Sequence, residues 1–267
     1  MGVDNLYHYT SIDAMRGILG DKELWLSNVL SMNDSSECSN FINRLIKNLK
    51  TELDSKYEAD IVCFANKIKQ NLKENTPFVG CFSKLEDNAA QWERYADNAK
   101  GVCIEFDRLA FEKMIKICGG LCLEDIEYRY NIKKHDNYNN VKRWIVNTEL
   151  PAGCKDEKGL ISNIIVCSYF HKHKSFSTEE EVRVAQLSNK SFVRHEFKYN
   201  NGIVKELRIM NLGKMCDMAK IDFEDVVCAV TIGPKSYQSV YDLRSYIENL
   251  GYRKIAKRTI KSKCPLR

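Results

Sequence analysis

Residues 6–20, LYHYTSIDAMRGILG, join a strand to a helix and set the pattern for the rest of the chain. Leu6–Thr10 reads as a short aromatic-rich strand. The helix follows at once, with Thr10 as N-cap and Asp13 three residues on, a T-x-x-D capping box. Leu24–Ser27 is a second short strand. Asp34 or Ser35 then starts a helical region that runs to about residue 75, because Phe41, Ile42, Leu45, Ile46 and Leu49 recur at helical spacing. Pro77 ends it by disfavouring a helical conformation at Thr76. Phe78–Ser83 reads as a buried strand, Asn88–Ala96 as a helix, Gly101–Asp107 as an alternating strand and Arg108–Ile117 as an amphipathic helix. Ile126–Tyr130 is a strand, Asn140–Glu149 and Gly159–Lys172 are helices, and Glu179–Leu187 alternates as a strand. Ser191–Tyr199 and Ile203–Met210 flank Asn200-Asn201-Gly202, a hairpin turn. Val226–Ile232 is an apolar strand stopped by Gly233-Pro234. A helix over Lys235–Asn249 and a basic strand over Lys254–Ile260 close the chain. Roughly nine strands mix with helices without regular alternation, which favours an α+β fold of mixed, mainly antiparallel sheets over a doubly wound α/β fold. The expectation is one domain over residues 1–267, with a helical insertion at about 35–75 and a basic C-terminal strand at about 251–267.

The chain has 267 residues, of which 44% are hydrophobic and 29% charged. That suits a soluble protein able to bury a core and excludes a disordered chain, a fibrous repeat or a disulfide miniature. No stretch of about 18 apolar residues exists, so no membrane partner is expected. MGVDNLYHYTS has no basic segment followed by an apolar one, so no secretory signal is expected, and MGVDNL lacks the Ser or Thr of a myristoylation site. The eleven cysteines form no CxxC and sit mostly among apolar residues. They read as small buried hydrophobes in a reducing cytoplasm, and their spacing leads us to expect no metal. His171 and His173 read as exposed residues at a helix tail that favour its dipole. Residues 251–267 carry seven Lys and Arg and no acid. This is either a solvated edge strand whose lysines block edge pairing or a patch for a polyanion.

Four clusters are candidates for chemistry. His8 and Thr10 share a strand face and are either a sugar-binding pair or a core histidine beside a cap. Met32-Asn33-Asp34-Ser35-Ser36-Glu37 is either functional or a turn leading into a capping box. Ser83 ends an apolar strand near Trp92 and Tyr95, aromatics that either stack on a flat ligand or belong to the core. Glu179, Glu181 and Arg183 fall on one face if residues 179–187 form a strand, and two carboxylates held by a guanidinium there suggest function over a solvated edge. Glycine-rich phosphate loops, GxSxG and HExxH are all missing from the sequence.

The succession LYHYTS, LWLS, MNDSSE, CFS, QWERYAD, GVCIEFD, a Lys-x-aromatic segment before ExExR, and a strand ending in IGP resembles the bacterial domain of unknown function 2971 family over Leu6 to about Pro234. Phe176 stands where that family usually has Trp. The family is in turn similar to the ADP-ribosyltransferase fold. That likeness implies NAD as substrate, His8, Tyr9 and Thr10 as the H-x-T element that binds it, and Ser83, Trp92 or Tyr95 beside the nicotinamide. It implies Glu181 as the catalytic glutamate with Glu179 two residues earlier, and Arg183 orienting Glu181 or contacting a phosphate. The implied protein is an ADP-ribosyltransferase or NAD glycohydrolase, a toxin or phage-defence effector in the cytoplasm, with nucleic acid, protein or water as acceptor. The other readings are a non-catalytic nucleotide- or RNA-binding module and a metal-assisted nuclease using Asp34, Glu179 and Glu181.

Overall fold

The computed structural model describes residues 5–31, 37–200 and 202–266. The chain divides into two compact units, Met1–Leu26 with Val79–Asp125 and Glu179–Arg267, and Ser27–Phe78 with Ile126–Thr178. The helical insertion expected at 35–75 falls in the second unit. Among the described residues no helix is long and apolar enough to cross a membrane.

In chain order the elements are β1 (Asn5–Thr10), α1 (Ile12–Gly20), β2 (Glu23–Asn28), α2 (Glu37–Glu52), α3 (Glu58–Glu74), β3 (Phe78–Ser83), α4 (Ala89–Tyr95) and β4 (Val102–Asp107). There follow α5 (Arg108–Cys118), β5 (Leu121–Asp125), α6 (Asp136–Asn147), α7 (Glu157–Ser168), β6 (Glu181–Gln186), β7 (Val193–Asn200) and β8 (Ile203–Asn211). The last are α8 (Leu212–Ala219), α9 (Phe223–Val226), β9 (Val227–Ile232), α10 (Val240–Asn249), α11 (Arg253–Lys257) and β10 (Ile260–Lys261). The result is a mixed α and β fold with a mainly antiparallel sheet and flanking helices, as the irregular strand spacing suggested.

The sheet runs β10-β9-β4-β1-β3-β2-β8-β7, and β6 joins β3 to β5. β1 and β4 pair along their whole length, Asn5↔Asp107 through Thr10↔Val102. β3 and β6 pair from Val79↔Ala185 through Ser83↔Glu181. Between these two ladders the register has one rung, Tyr7↔Ser83. The carbonyl of Cys81 also accepts a hydrogen bond from the His8 imidazole.

Pairing fixes the faces, because cross-strand partners share a side. Tyr7, Tyr9, Cys81, Ser83, Glu181 and Arg183 lie on one side, where α4 covers them through Trp92 against Tyr9. Leu6, His8, Phe82, Ile104 and Phe106 lie on the other, where Phe111 of α5 meets Phe82 and Phe106. In the second unit, Phe41, Leu45, Phe64, Ile68, Tyr138, Val141 and Ile164 bury the apolar stripes of α2, α3, α6 and α7. Glu52 draws in Tyr138, Lys142 and Lys133, and its bonds to Lys142 and Tyr138 hold its pKa down at about 2.

Several expectations are corrected. Ser11 rather than Thr10 caps α1, accepting from Ala14 N–H. The helical region to residue 75 is broken at Leu53-Asp54 into α2 and α3, and its expected start at Asp34 or Ser35 lies outside the described residues. The strand expected at Ile126–Tyr130 lies five residues earlier as β5, because Leu121–Asp125 matches the register of β6. Lys254–Ile260 is not a strand. Ile255 and Ala256 are buried on the short helix α11, and only Ile260–Lys261 pairs, parallel to β9. The hairpin appears as expected, with Asn200↔Ile203 as its last pair and Gly202 at φ +76°.

Gly101 enters β4 where a Cβ would stand 2.1 Å from the carbonyl oxygen of Thr10. Gly101→Ala should therefore destabilise by about 1–3 kcal/mol in chemical unfolding. Gly17→Ala in α1, where an added Cβ meets nothing within 4 Å, should instead stabilise by about 0.4–1 kcal/mol. Equal effects would contradict this packing.

Candidate functional site

β6 begins abruptly. Glu179 ends a 3-10 turn, and Glu180 takes the left-handed conformation at φ +43° before the strand starts at Glu181. A non-glycine residue there stores roughly 1–3 kcal/mol of strain. The strand therefore begins at Glu181, two residues later than the sequence suggested, with Glu179 outside it. Lys84 N–H bonds the Glu180 carbonyl at 3.0 Å, and Ser83 Oγ donates to the Glu179 carbonyl at 2.7 Å while accepting from Leu85 N–H. Ser83 is thus a backbone clamp that fixes the start of β6.

The two carboxylates have different surroundings. Glu181 is 6% exposed and Arg183 is fully buried. Arg183 Nε donates to Glu181 Oε1 at 2.6 Å, and Nη2 to Oε2 at 3.3 Å. A guanidinium so placed favours the ionised carboxylate. Glu179 meets α4. Arg94 Nη1 and Tyr95 OH donate to its Oε1 at 3.1 and 3.0 Å, and Gln91 Nε2 donates to its carbonyl at 3.2 Å. Gln91, Arg94 and Tyr95 face the same way because they recur at three- and four-residue spacing, and Asn88 caps their helix through its side chain.

Trp92 and Tyr95 diverge. Trp92 has no solvent exposure, donates Nε1–H to Asp87 and packs edge-on against Tyr9. Tyr9 in turn donates to the Leu85 carbonyl and accepts from Asn88 N–H. Both rings are framework. Tyr95 is 43% exposed with its hydroxyl on Glu179. Tyr7 shares the rung of Ser83, and burial together with Glu86 and Glu105 pushes its hydroxyl up to about 12, so it stays a neutral donor.

His8 and Thr10 point to the opposite sheet face from Glu181. The His8 ring lies 5.5 Å from Phe82, and its Nδ1 bonds the Cys81 carbonyl at 2.9 Å. Burial lowers its pKa below the usual value. His8 therefore ties β1 to β3, and the His8 and Thr10 side chains are not brought to the sheet face of Glu181. The MNDSSE segment lies outside the described residues up to Ser36. Sequence reasoning passed over Gln91 and Arg94, whose signal was their place on the same helical turn as Tyr95. The basic C-terminal segment is partly compensated, with Lys254 on Asp225 at 2.8 Å and Arg258 on Glu105 at 2.6 Å.

Residues 91–184 match the model of a family described as a protein of unknown function, DUF2971. No curated protein and no solved structure matches the chain. The matched stretch takes in Gln91, Arg94, Tyr95, Glu179, Glu181 and Arg183.

Two stability effects follow. Arg183→Leu leaves a buried carboxylate without this guanidinium and should cost about 3–5 kcal/mol, whereas adding Glu181→Leu should restore most of it. A double variant no more stable than the single one would show that the pair is not coupled. For His8 the lowered folded pKa means that the unfolded chain takes up its proton first. Its contribution is whole above about pH 6.5 and declines as pH falls toward the folded value. His8→Gln should make melting temperature fall less steeply between about pH 7 and 5 than in the wild type.

Proposed function

We propose that the first unit is an NAD-consuming enzyme of the ADP-ribosyltransferase or NAD glycohydrolase type, with Glu181 as its catalytic carboxylate. The observation that supports this reading is a buried, guanidinium-paired carboxylate at the first position of β6, level with Ser83 on the neighbouring strand and one strained residue from Glu179. Cleaving the ribose–nicotinamide bond sends the bonding pair out with nicotinamide and leaves positive charge at the ribose anomeric carbon. A fixed carboxylate that accepts from the ribose 2′-hydroxyl stabilises that charge. Arg183 holds Glu181 in one orientation and keeps it anionic. Glu179 takes the proton of the attacking acceptor, its Oε1 lying where Tyr95 and Arg94 converge.

The exposed ring of Tyr95 stacks on nicotinamide, and the guanidinium of Arg94, 54% exposed, meets the pyrophosphate. His8 and Thr10 support the framework here, and the dinucleotide is held from the α4 side.

The test is nicotinamide release from NAD by the purified chain, alone and with total RNA, single-stranded DNA or lysate. Glu181→Gln, which keeps an acceptor for Arg183, should lower release on the order of a hundredfold or more with melting temperature near wild type. Tyr95→Ala should chiefly raise KM. The additive that accelerates release identifies the acceptor. No release in any mixture, with no NAD-induced rise in melting temperature, contradicts the proposal. A rise in melting temperature without release would make this unit a nucleotide-binding module.

A further inference from the structure

The second unit brings together three residues that the sequence scatters. Cys167 lies in the last turn of α7, and His171 follows it by four residues, so the two side chains meet past the helix end. His135 caps α6 and brings its Nε2 to 3.3 Å from Cys167 Sγ. His171 Nδ1 stands 3.9 Å from the same sulfur. One donor atom from each residue lies within 4.8 Å of the others. A tetrahedral zinc ion, with Zn–S of about 2.3 Å and Zn–N of about 2.05 Å, would separate sulfur from nitrogen by about 3.6 Å. The two sulfur–nitrogen distances bracket that separation. One thiolate with two imidazoles is also a donor set suited to zinc.

The surroundings orient the ligands. His171 Nε2 is 3.0 Å from Glu127 Oε2. Metal-bound histidines commonly donate their other ring N–H to a carboxylate, which fixes the tautomer. A neutral His171 has one ring proton but faces two acceptors, Glu127 at Nε2 and the Cys167 carbonyl 2.7 Å from Nδ1. With the proton at Nε2 on Glu127, the Nδ1 lone pair is available to a metal. The carbonyl keeps the N–H of Phe170 as a donor. Phe41 packs against both imidazoles, with ring centroids 4.5 Å from His171 and 5.3 Å from His135, and Tyr130 lies 4.6 Å from His171. These rings hold the ligands in a partly closed apolar setting. One local bond opposes the arrangement. His135 Nδ1 accepts from Asn137 N–H at 3.2 Å, and coordination through Nε2 exchanges that helix cap for the metal.

We propose that His135, Cys167 and His171 form a zinc site, with Glu127 orienting His171 and a fourth coordination position that no ligand of the cluster among the described residues takes. The expectation of no metal from the sequence rested on the lack of CxxC spacing. The structure supplies a Cys-x-x-x-His pair at a helix end and a histidine 32 positions earlier. The site stands apart from the NAD reading of the first unit, and either can fail alone.

The test uses the full chain stripped of metal and titrated with cobalt(II), then with zinc in competition. One equivalent of cobalt should produce a thiolate-to-cobalt charge-transfer band and tetrahedral d–d bands, and zinc should abolish both. Cys167→Ser should abolish the charge-transfer band. His135→Gln, which changes a partly exposed ring, gives a second ligand test if the serine variant fails to fold. Glu127→Gln should weaken zinc by about 10- to 100-fold. Cys63→Ser, which alters an exposed thiol, should leave the titration unchanged. The proposal is overturned if no charge-transfer band appears, or if His135→Gln binds cobalt as tightly as the wild type.

Discussion

A guanidinium with no exposure to water dictates much of the first unit. Arg183 sits on β6 between β3 and β5, and the Glu181 carboxylate it bonds, two residues away on the same face, is almost as deeply buried. Such a pair is tolerable only where geometry is fixed and remaining polar atoms are satisfied. The local structure supplies that fixity. Ser83 clamps the backbone ahead of β6, Gln91 donates to the same carbonyl, and Glu180 is held in a strained conformation that ends the preceding turn. Buried charge that is a doubtful source of stability is well suited to holding an anion ready for a substrate.

The second constraint is the single rung that joins β1 to β3. A ladder that stops after one rung would leave strand carbonyls unsatisfied, and unsatisfied buried backbone is costly. His8 donates to Cys81, and the Tyr9 hydroxyl bridges Leu85 and Asn88. His8 and Tyr9, which looked most like ligand-binding groups, are held by framework hydrogen bonds between β1 and the β3 segment.

The fold class was legible because the alternation of Gly101–Asp107 and the apolar run of Val226–Ile232 survive as β4 and β9. The pairing of Glu181 with Arg183 was legible for the same reason, since period two puts them on one face. That β6 starts only at Glu181 was not legible, because nothing in a run of three glutamates marks which of them takes the left-handed conformation. His8 was ambiguous because alternation says that His8 and Thr10 share a face but not which face looks at Glu181. Only strand register settles that. His171 read as an exposed helix tail because the turn that buries it depends on Phe41 and Tyr130, residues far away in the sequence.

The most direct test of the central claim is a structure of the Glu181→Gln protein with NAD. The account predicts the nicotinamide ribose on the α4 side, with its 2′-hydroxyl in hydrogen-bond reach of residue 181, the nicotinamide against Tyr95 and the pyrophosphate toward Arg94. NAD bound on the α5 side beside His8, or in the second unit, would contradict it.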